Sequence, residues 1–539
     1  MGKIIEIGSS AQEKIIKGVE KTANAIKTTL GPSGHCVAIE GVMGMPPEVT
    51  RDGATVAKSI KLSDGSENIG AELIKKAATL TEELAGDSTS TTAVLIKELC
   101  LSGQKYLKKG VNINSLKSGM QKACNWIVDY LKENTIKVDG DLEKIRKVAT
   151  ISANNDPEIG NLIVECFEKV GFDGVITADL TNGIETVIDV TSGMKLERGW
   201  ASPQYITQMD EGTCVLENPY IAILGERISS VNQIIPVLEI VQKSGRPILF
   251  IVDEMDDIVN TTLVMNTLRG AIRACVIKGV DFGDNRKNTM ADIAVLTGGA
   301  YVCQETGNKL SEFAEEMLGS AKKVVVSRDN TIIFEGSGDQ DKIKERVDLI
   351  KTRMKSENIT KYDLAKWEKR IANLSGGIGI IKAAGATETE AVNKKQTIED
   401  AILASKSAIQ EGCSVGGGYT YVKAEMALRK DANFWKNLNM DEIYGAEIVL
   451  TSVPVIMKTI AENAGESGDV VLNTVRKHKK EYWGFNAKTK TYEDLLNAGV
   501  LDSTKALRVS LENAVSTAAM ILLIDCSLLE ENEEDKKLH

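Results

Sequence analysis

Residues 220–252 have the sequence YIAILGERISSVNQIIPVLEIVQKSGRPILFIV, in which two short apolar runs flank a longer amphipathic stretch. The runs 220–224 and 248–252 are rich in β-branched residues, which is typical of buried strands. Between them, residues 231–244 space their apolar side chains as a helix does. This strand–helix–strand alternation indicates an α/β domain.

The alternation covers the middle of the chain and stops on either side of it. Residues 274–277 and 323–326 predict further strands, residues 258–273 a helix, and residues 341–373 a pair of charged amphipathic helices. Both ends predict helices, over 11–30 (capped by Ser9 or Ser10), 66–84, 90–107, 398–412, 416–429, 442–464 and 503–523. We therefore predict a multi-domain α and α/β protein, with the α/β part inserted into a helical domain built from both termini.

Composition excludes several classes of protein. The 539 residues are 42% apolar and 26% charged, with a net charge of −11, which fits several packed domains and disfavours a nucleic-acid binder. No apolar run reaches the roughly 18 residues of a membrane span, and the N-terminus has no leader pattern. Three histidines and nine scattered cysteines predict neither a zinc site nor a disulfide framework. We expect no nucleic-acid or membrane partner.

Three glycine-rich turns lie at helix ends, over residues 29–34, 85–92 and 415–418. The N-terminus of a helix presents unpaired N–H groups and the positive end of its dipole, which together suit a phosphate. Asp87 in the second turn is suited to Mg²⁺, which prefers oxygen ligands. Taken singly, each turn is more often a plain helix cap, and no P-loop motif occurs.

Two further carboxylates lie at positions where they could act on a bound triphosphate. Asp52 occupies a turn before a helix, and Asp400 lies near the predicted start of another. A carboxylate beside a bound triphosphate can orient the attacking water. An N-cap or a surface acid is the simpler interpretation of each.

An ordered series of motifs carries a family resemblance: TLGP (29–32), TRDG (50–53), AGD (85–87), ISAN (151–154), DFGD (281–284), EDA (399–401), GGG (416–418), FNA (485–487) and GVLD (499–502). Over residues 3–528 the chain resembles the group I chaperonins, the ring-forming class of bacteria and organelles, as a divergent member. The resemblance implies a chaperonin fold with three domains. They would be an equatorial ATP-binding domain (1–135 and 411–539), an intermediate hinge domain (136–191 and 379–410) and an apical substrate-binding domain (192–378).

The resemblance also implies a nucleotide site and its cofactors. Asp400 and Asp52 would be catalytic, Asp87 would hold Mg²⁺, and K⁺ is expected at Thr29 and Ser90. Gly416 and Gly417 would let the backbone approach the nucleotide. The implied nucleotide-binding residues are Thr29, Leu30, Gly31, Pro32, Asp87, Ser88, Thr89, Ser90, Thr91, Ser152, Gly416, Gly417, Asn486, Ala487 and Asp502.

The implied function is an ATP-dependent chaperone. It would form a homo-oligomeric, heptameric ring, single or double, that encloses non-native polypeptides, with a lid-like cochaperonin as a further candidate partner. Clients would bind at Trp200, Tyr205, Ile235, Leu238, Val264 and Met265, whereas Gln204 and Asn260 are polar where the family is usually apolar or aromatic. We expect a cytoplasmic location, in a bacterium or a virus-infected host cell, rather than an organelle matrix.

The chain departs from the family at several points, and two of them, Ser88 and an acidic run at 530–535 in place of the family's Gly-Met repeat tail, keep an alternative function open. Ser88 stands where the family has Gly, which would cost of order 1 kcal/mol if φ must be positive. Lys109 and Ser467 remove two contacts between rings, which favours a weak ring–ring interface. The alternative is a holdase ring that captures unfolded protein with little ATP turnover. A third hypothesis, that the protein is a metabolic enzyme, is supported by no residues beyond the glycine-rich turns.

Overall fold

The structure is a computed structural model. It describes residues 3–41, 47–153, 155–172, 174–181, 183, 185–209, 212–280, 284–303, 310, 313–354, 367, 370–371, 373–374 and 377–530. The second predicted amphipathic helix, through Leu364, falls largely outside these residues, as do most of the DFGD motif and the charged tail from residue 531.

The described helices are given in chain order. They are α1 (Ser9–Ile26), α2 (Gly53–Ser59), α3 (Gly65–Ala85), α4 (Thr89–Leu107), α5 (Ile113–Glu133), α6 (Leu142–Ser152), α7 (Pro157–Val170), α8 (Ile235–Ser244), α9 (Asp257–Leu268), α10 (Asp284–Thr297), α11 (Gln340–Arg353), α12 (Glu388–Glu411), α13 (Tyr419–Leu428), α14 (Ala432–Lys436), α15 (Met440–Ser452), α16 (Val455–Asn463), α17 (Gly468–Lys477) and α18 (Thr504–Leu522).

The described strands follow the same order. They are β1 (Lys3–Ile7), β2 (Val37–Ile39), β3 (Glu48–Thr50), β4 (Val175–Leu180), β5 (Val187–Leu196), β6 (Cys214–Glu217), β7 (Tyr220–Ile228), β8 (Ile248–Met255), β9 (Ala274–Lys278), β10 (Tyr301–Val302), β11 (Gly319–Val326), β12 (Thr331–Gly336), β13 (Gly377–Ala383), β14 (Cys413–Val415), β15 (Trp483–Asn486), β16 (Thr491–Asp494), β17 (Leu501–Ser503) and β18 (Cys526–Glu530).

The chain divides into two compact units. Unit 1 comprises Met1–Val164, Leu180–Glu185 and Ala383–His539, and unit 2 comprises Glu165–Asp179 and Thr186–Lys382. The segments assigned to a hinge domain are shared between both units, so the three-domain division stays a prediction.

Unit 2 is built on a mixed sheet, as the strand–helix–strand pattern predicts. Its central path runs β4-β13-β5-β12-β11-β7-β8-β9, and β7, β8 and β9 are parallel. In the register Tyr220 pairs with Ile248, and Phe250 with Val276. The first four or five residues of each of these strands are apolar and buried on both faces, as is usual in a parallel sheet, and charged residues follow only towards the C-terminal ends.

Unit 1 is helical and joins the two ends of the chain. Helices α1, α3, α4 and α5 from the N-terminal part share one apolar core with α15 and α18 from the C-terminal part. Strand β1 also pairs antiparallel with β18, with Ile5 opposite Leu528. A single core therefore contains side chains more than 400 residues apart in the sequence.

Several helix boundaries differ from the predictions, the largest difference being the start of α12 at Glu388 rather than at residue 398. Helix α1 is preceded by Gly8, and neither serine side chain caps it. The helix predicted over 416–429 begins only at Tyr419, after a left-handed Gly418. The predicted helix 442–464 is two helices, α15 and α16, which separate at Pro454 because proline lacks the N–H that continues a helix.

The stretch Met440–Asn463, which contains this break, is the one described segment long and apolar enough to cross a membrane by length and composition. However, 61% of its most apolar window is buried inside the protein. Core helices pass the same compositional test, and Ile448, Val449 and Leu450 all belong to the core of unit 1.

Candidate nucleotide site

A cavity of about 430 Å³ lies in unit 1, where the predicted motifs meet. Every residue predicted for nucleotide binding or catalysis lines it except Gly416. Those residues are Thr29, Leu30, Gly31, Pro32, Asp52, Asp87, Ser88, Thr89, Ser90, Thr91, Ser152, Asp400, Gly417, Asn486, Ala487 and Asp502. The sequence motifs, which are far apart along the chain, are therefore neighbours in space.

The first wall of the cavity is the turn that follows α1. The Thr29 and Ser90 hydroxyl oxygens are 2.9 Å apart, which brings the first and second glycine-rich turns together. Arg51 Nη2 donates to the carbonyl oxygens of Gly31 and Pro32, at 2.8 and 2.7 Å. The arginine therefore fixes the shape of this turn and adds a positive charge at the cavity.

The second wall is the tight turn between α3 and α4. Gly86 ends α3 with φ 74°, and an added Cβ would lie 2.1 Å from Leu403 Cβ. Ser88 then adopts φ 72° at the N-cap of α4, and its side chain makes no capping hydrogen bond. A non-glycine residue in the left-handed region is strained, so the serine incurs the cost that the sequence comparison with the family predicts.

Asp87 lies in this turn and is oriented by its neighbours. Its carboxylate accepts hydrogen bonds from the Ser88 backbone N–H and from Ser152 Oγ, the latter at 2.9 Å. Burial nevertheless raises the pKa of the Asp87 carboxyl, with a smaller contribution from Asp52. A nearby cation would favour the ionised form.

The donor set around Asp87 fits Mg²⁺. The described residues contain no group of three or more His, Cys, Asp or Glu side chains that could hold a metal by themselves. Mg²⁺ is usually bound by one or two carboxylates together with substrate phosphates and water. The Asp87 carboxylate lines one cavity together with several hydroxyl groups and further carboxylates, and a carboxylate that shares the ion with substrate phosphates matches that pattern.

Asp52 is both a helix N-cap and a residue of the cavity, the two interpretations that its sequence context allowed. It is the N-cap of α2, accepting from the Ala54 and Thr55 backbone N–H groups at 3.2 and 2.6 Å, and it also lines the cavity. Gln396 Nε2 donates to the same carboxylate at 3.1 Å. These three donors hold Asp52 in one orientation.

Asp400 lies inside α12 and not near its start, because the helix begins at Glu388. Burial raises the pKa of Asp400 well above its ordinary value, and repulsion from Asp52, Glu82 and Asp87 adds to the effect. Burial likewise raises the pKa of Glu82. A carboxyl with a raised pKa is a stronger base, which suits a group that accepts a proton from water.

The far end of the cavity is formed by the third glycine turn and the β15–β16 hairpin. Asn486 Nδ2 donates to Glu493 Oε1 at 2.8 Å, which fixes the amide. Burial, with a contribution from Asp87, raises the pKa of Asp502 to about 7. Gly416 lies behind Asp502, and an added Cβ would meet its Oδ1 at 2.8 Å. The absence of a side chain at Gly416 therefore makes room for the Asp502 carboxylate, and the approach of its backbone to a nucleotide stays a prediction.

Several cavity residues were not selected from the sequence: Arg51, Glu82, Gln396 and Lys488. Arg51 could have been predicted from the sequence, because it lies inside the quoted TRDG motif. Gln396 precedes Asp400 by four residues, the spacing that places two side chains on one helix face. Lys488 directly follows the quoted FNA motif, whereas nothing in the local sequence marks Glu82.

The residues predicted to bind clients lie in unit 2 and divide by exposure. Ile235 and Met265 are 40% and 44% exposed, and Trp200 and Leu238 are half-buried. Tyr205 and Val264 are buried, which corrects their assignment to an exposed surface. Tyr205 is held inside because its hydroxyl donates to Asn260 Oδ1 at 2.9 Å.

Helix α9 exposes apolar residues that were not predicted. Ile258 and Leu268 are 79% and 63% exposed, more than any of the six predicted side chains. With Met265 they follow the spacing of one helix face. Helical periodicity could have predicted this exposed face, since it places these residues opposite the buried Val259 and Leu263.

The comparisons with known proteins agree with this architecture. The model of the TCP-1/cpn60 chaperonin family matches residues 22–531. Two crystal structures of the chaperonin gp146 from the bacteriophage EL 2 (Pseudomonas aeruginosa), both in presence of ATP-BeFx, are similar in fold. Form II has a TM-score of 0.74 at 20% identity, covering 98% of this chain and 100% of that chain. Form I has a TM-score of 0.65 at 21% identity, covering 98% and 99%. The predicted chaperonin fold is confirmed, and the chain belongs to the TCP-1/cpn60 chaperonin family.

Proposed function

We propose that this chaperonin is an ATP-driven folding machine. It binds non-native polypeptides through exposed apolar side chains of unit 2 and promotes their folding by enclosure, with ATP hydrolysis driving the cycle. The observation that carries the proposal is the convergence of Asp52, Asp87 and Asp400 on one cavity with three glycine-rich turns. An inert binding protein has no need of a carboxyl such as Asp400, whose pKa is raised well above its ordinary value by burial and further by repulsion from Asp52, Glu82 and Asp87.

Each carboxylate has a distinct part in the proposed hydrolysis. Asp87 would hold Mg²⁺, which would supply positive charge against the negative charge that develops on the phosphate oxygens. The Thr29 and Ser90 hydroxyls supply neutral oxygens where K⁺ is proposed. Asp400 orients the attacking water and accepts its proton, and Asp52 assists beside the terminal phosphate.

The capture surface lies on α8 and α9. Ile235, Ile258, Met265 and Leu268 are exposed apolar side chains on these two helices. An exposed apolar surface of this kind marks a site of protein interaction and suits unselective binding of unfolded chains. The polar Asn260 does not interrupt it, because Asn260 is buried against Tyr205.

The proposed assembly is a homo-oligomeric, heptameric ring in the cytoplasm of a bacterium or a virus-infected host cell, with a lid-like cochaperonin as a candidate partner. A single ring is favoured over a double one. Lys109 is exposed, Ser467 cannot form an ion pair, and Lys458 Nζ is already paired with Asp469 at 2.6 Å within the chain.

One observation favours the alternative of a holdase ring with little turnover. The strained Ser88 lies at the N-terminus of α4, where the N–H groups would face the phosphates. Strain at this position can slow the rearrangements that hydrolysis requires.

Steady-state ATP hydrolysis with Mg²⁺ and K⁺, measured beside Asp400→Ala, tests the proposal. Hydrolysis by the wild type that is largely lost in the variant supports the folding machine. An absence of hydrolysis in both, with client capture retained, favours the holdase. Equal hydrolysis in both contradicts the role given to Asp400.

A further inference from the structure

An amide on α12 reaches into the turn that carries Asp52. Gln396 Nε2 donates to Asp52 Oδ2 at 3.1 Å and lies 3.3 Å from Thr55 Oγ1. Gln396 precedes Asp400 by one helical turn, so both side chains lie on the same face of α12 and both line the cavity. The helix that presents Asp400 is therefore joined to the Asp52 carboxylate.

The environment of this contact is strongly negative. Asp52 contributes to the raised pKa values of Asp400, Asp87 and Glu82. Like charges in a poorly solvated site repel, and this repulsion opposes the approach of α12 to the cavity. A neutral side chain that donates a hydrogen bond to Asp52 offsets part of it.

The two halves of α12 are held by different contacts. Near its C-terminus, Ser407 Oγ donates to the Ala85 carbonyl at 3.0 Å, and Arg508 donates twice to Glu411, at 2.9 and 2.6 Å. Near its N-terminus, Val392 is 43% exposed. The Gln396 hydrogen bond connects this more exposed half to the N-cap turn of α2.

We propose that Gln396 is a positioning residue, whose amide holds the Asp52 carboxylate and thereby seats Asp400 against the cavity. The inference rests on the ATP hydrolysis proposed above. This positioning role requires an uncharged side chain at residue 396 that donates a hydrogen bond. A carboxylate of the same shape therefore cannot substitute.

Gln396→Glu tests this requirement because it keeps the shape and removes the donor. At about pH 7.5 we expect kcat to fall about tenfold and the KM for ATP to change less than about twofold. Charged groups that act on the neighbouring Asp400 are Asp52 at the N-cap of α2, Glu82 on α3, Asp87 in the following turn and Glu399 on α12; Lys58 on α2 lies beside Glu82, and Arg51 and Lys488 line the same cavity. On lowering the pH to about 5.5 the introduced carboxyl protonates and donates again, so the ratio of variant to wild-type kcat should rise.

Gln410→Glu is the matched control. It makes the same change on the same helix, but there the side chain faces Lys505 Nζ, which lies 2.9 Å from Gln410 Oε1. We expect this variant to retain the wild-type kcat and its pH profile. A Gln396→Glu enzyme that matches wild type across the pH range would overturn the proposal.

Hydrogen exchange of residues 388–400 in the nucleotide-free protein tests the contact without reference to hydrolysis. We expect exchange about tenfold faster in Gln396→Glu and unchanged in Gln410→Glu. Wild-type protein that hydrolyses no ATP would contradict the proposed function alone. Exchange equal in wild type and Gln396→Glu would overturn the positioning role in either case.

Discussion

Ser152 Oγ donates to Asp87 Oδ2 at 2.9 Å, so a serine at the end of α6 orients the carboxylate proposed to hold Mg²⁺. The same carboxylate accepts from the Ser88 N–H on its other oxygen. Groups that orient a metal ligand matter almost as much for metal affinity as the ligand itself.

Ser152→Ala should therefore weaken the Mg²⁺ dependence of the protein. We expect the Mg²⁺ concentration for half-maximal ATP hydrolysis to rise about tenfold, because the Asp87 carboxylate loses one of its two donors. Ser152→Thr keeps the hydroxyl and should stay near wild type. The orienting role is wrong if Ser152→Ala has the wild-type Mg²⁺ requirement.

Ser88→Gly should stabilise the protein. Ser88 has φ 72° and its side chain makes no capping hydrogen bond, so glycine relieves strain without removing a contact. We expect the free energy of unfolding to rise by about 0.5–1 kcal/mol in urea titrations. Ser102→Gly, inside the same helix, should instead lower it by about 0.5 kcal/mol. Destabilisation by both substitutions would contradict the strain at Ser88.

Asp502 makes the nucleotide-free protein less stable as the pH rises. Burial raises the pKa of this carboxyl from 3.8 to about 7, so the folded state binds the proton more tightly than the unfolded state does. The stabilisation is complete below the unfolded pKa and is lost between about pH 4 and pH 7; its upper bound is about 4 kcal/mol.

Asp502→Asn removes this dependence, because an amide does not titrate. Urea unfolding at about pH 5 and about pH 7.5 should show a smaller loss of stability in the variant than in wild type. Asp129→Asn, an exposed carboxyl on α5, serves as the control and should follow wild type. An equal loss in all three proteins would show that Asp502 is not buried as described.

Ring number depends on Lys109 and Ser467 in the proposed assembly. A double variant, Lys109→Ala with Ser467→Glu, removes a repulsive charge and supplies an acid close to Lys458. Sedimentation velocity at low protein concentration should show single rings for wild type and a larger fraction of double rings for the variant. Stable double rings of wild type without nucleotide would contradict the proposal.

The sequence predicted the fold class well because its signals were local. The apolar runs at 220–224 and 248–252 had the length and composition of buried strands, and both are parts of parallel strands. The helices of unit 1 were recognised from periodicity, but the residues at which they begin and end were not. The break at Pro454 was visible in the sequence as a proline inside the predicted helix, whereas the late start at Tyr419 depends on the left-handed backbone of Gly418, which periodicity does not report.

The nucleotide cavity was predictable because its residues are concentrated in short motifs. Gln396 and Lys488 were not found although they lie close to quoted motifs, because the sequence does not show which neighbours of a motif face the cavity, and Glu82 enters it from α3. The capture surface was predicted in part. Tyr205 was placed outside because its hydrogen bond with Asn260 links residues 55 positions apart, which no local pattern shows.

The most direct test of the account is the refolding of a chemically denatured polypeptide by the purified chaperonin with ATP, Mg²⁺ and K⁺. We predict ATP-dependent recovery by wild type. Asp400→Ala should capture the polypeptide without releasing it folded, and Ile258→Asp should capture it poorly. Recovery by Asp400→Ala equal to that of wild type, or capture by wild type with no effect of ATP, would contradict the account.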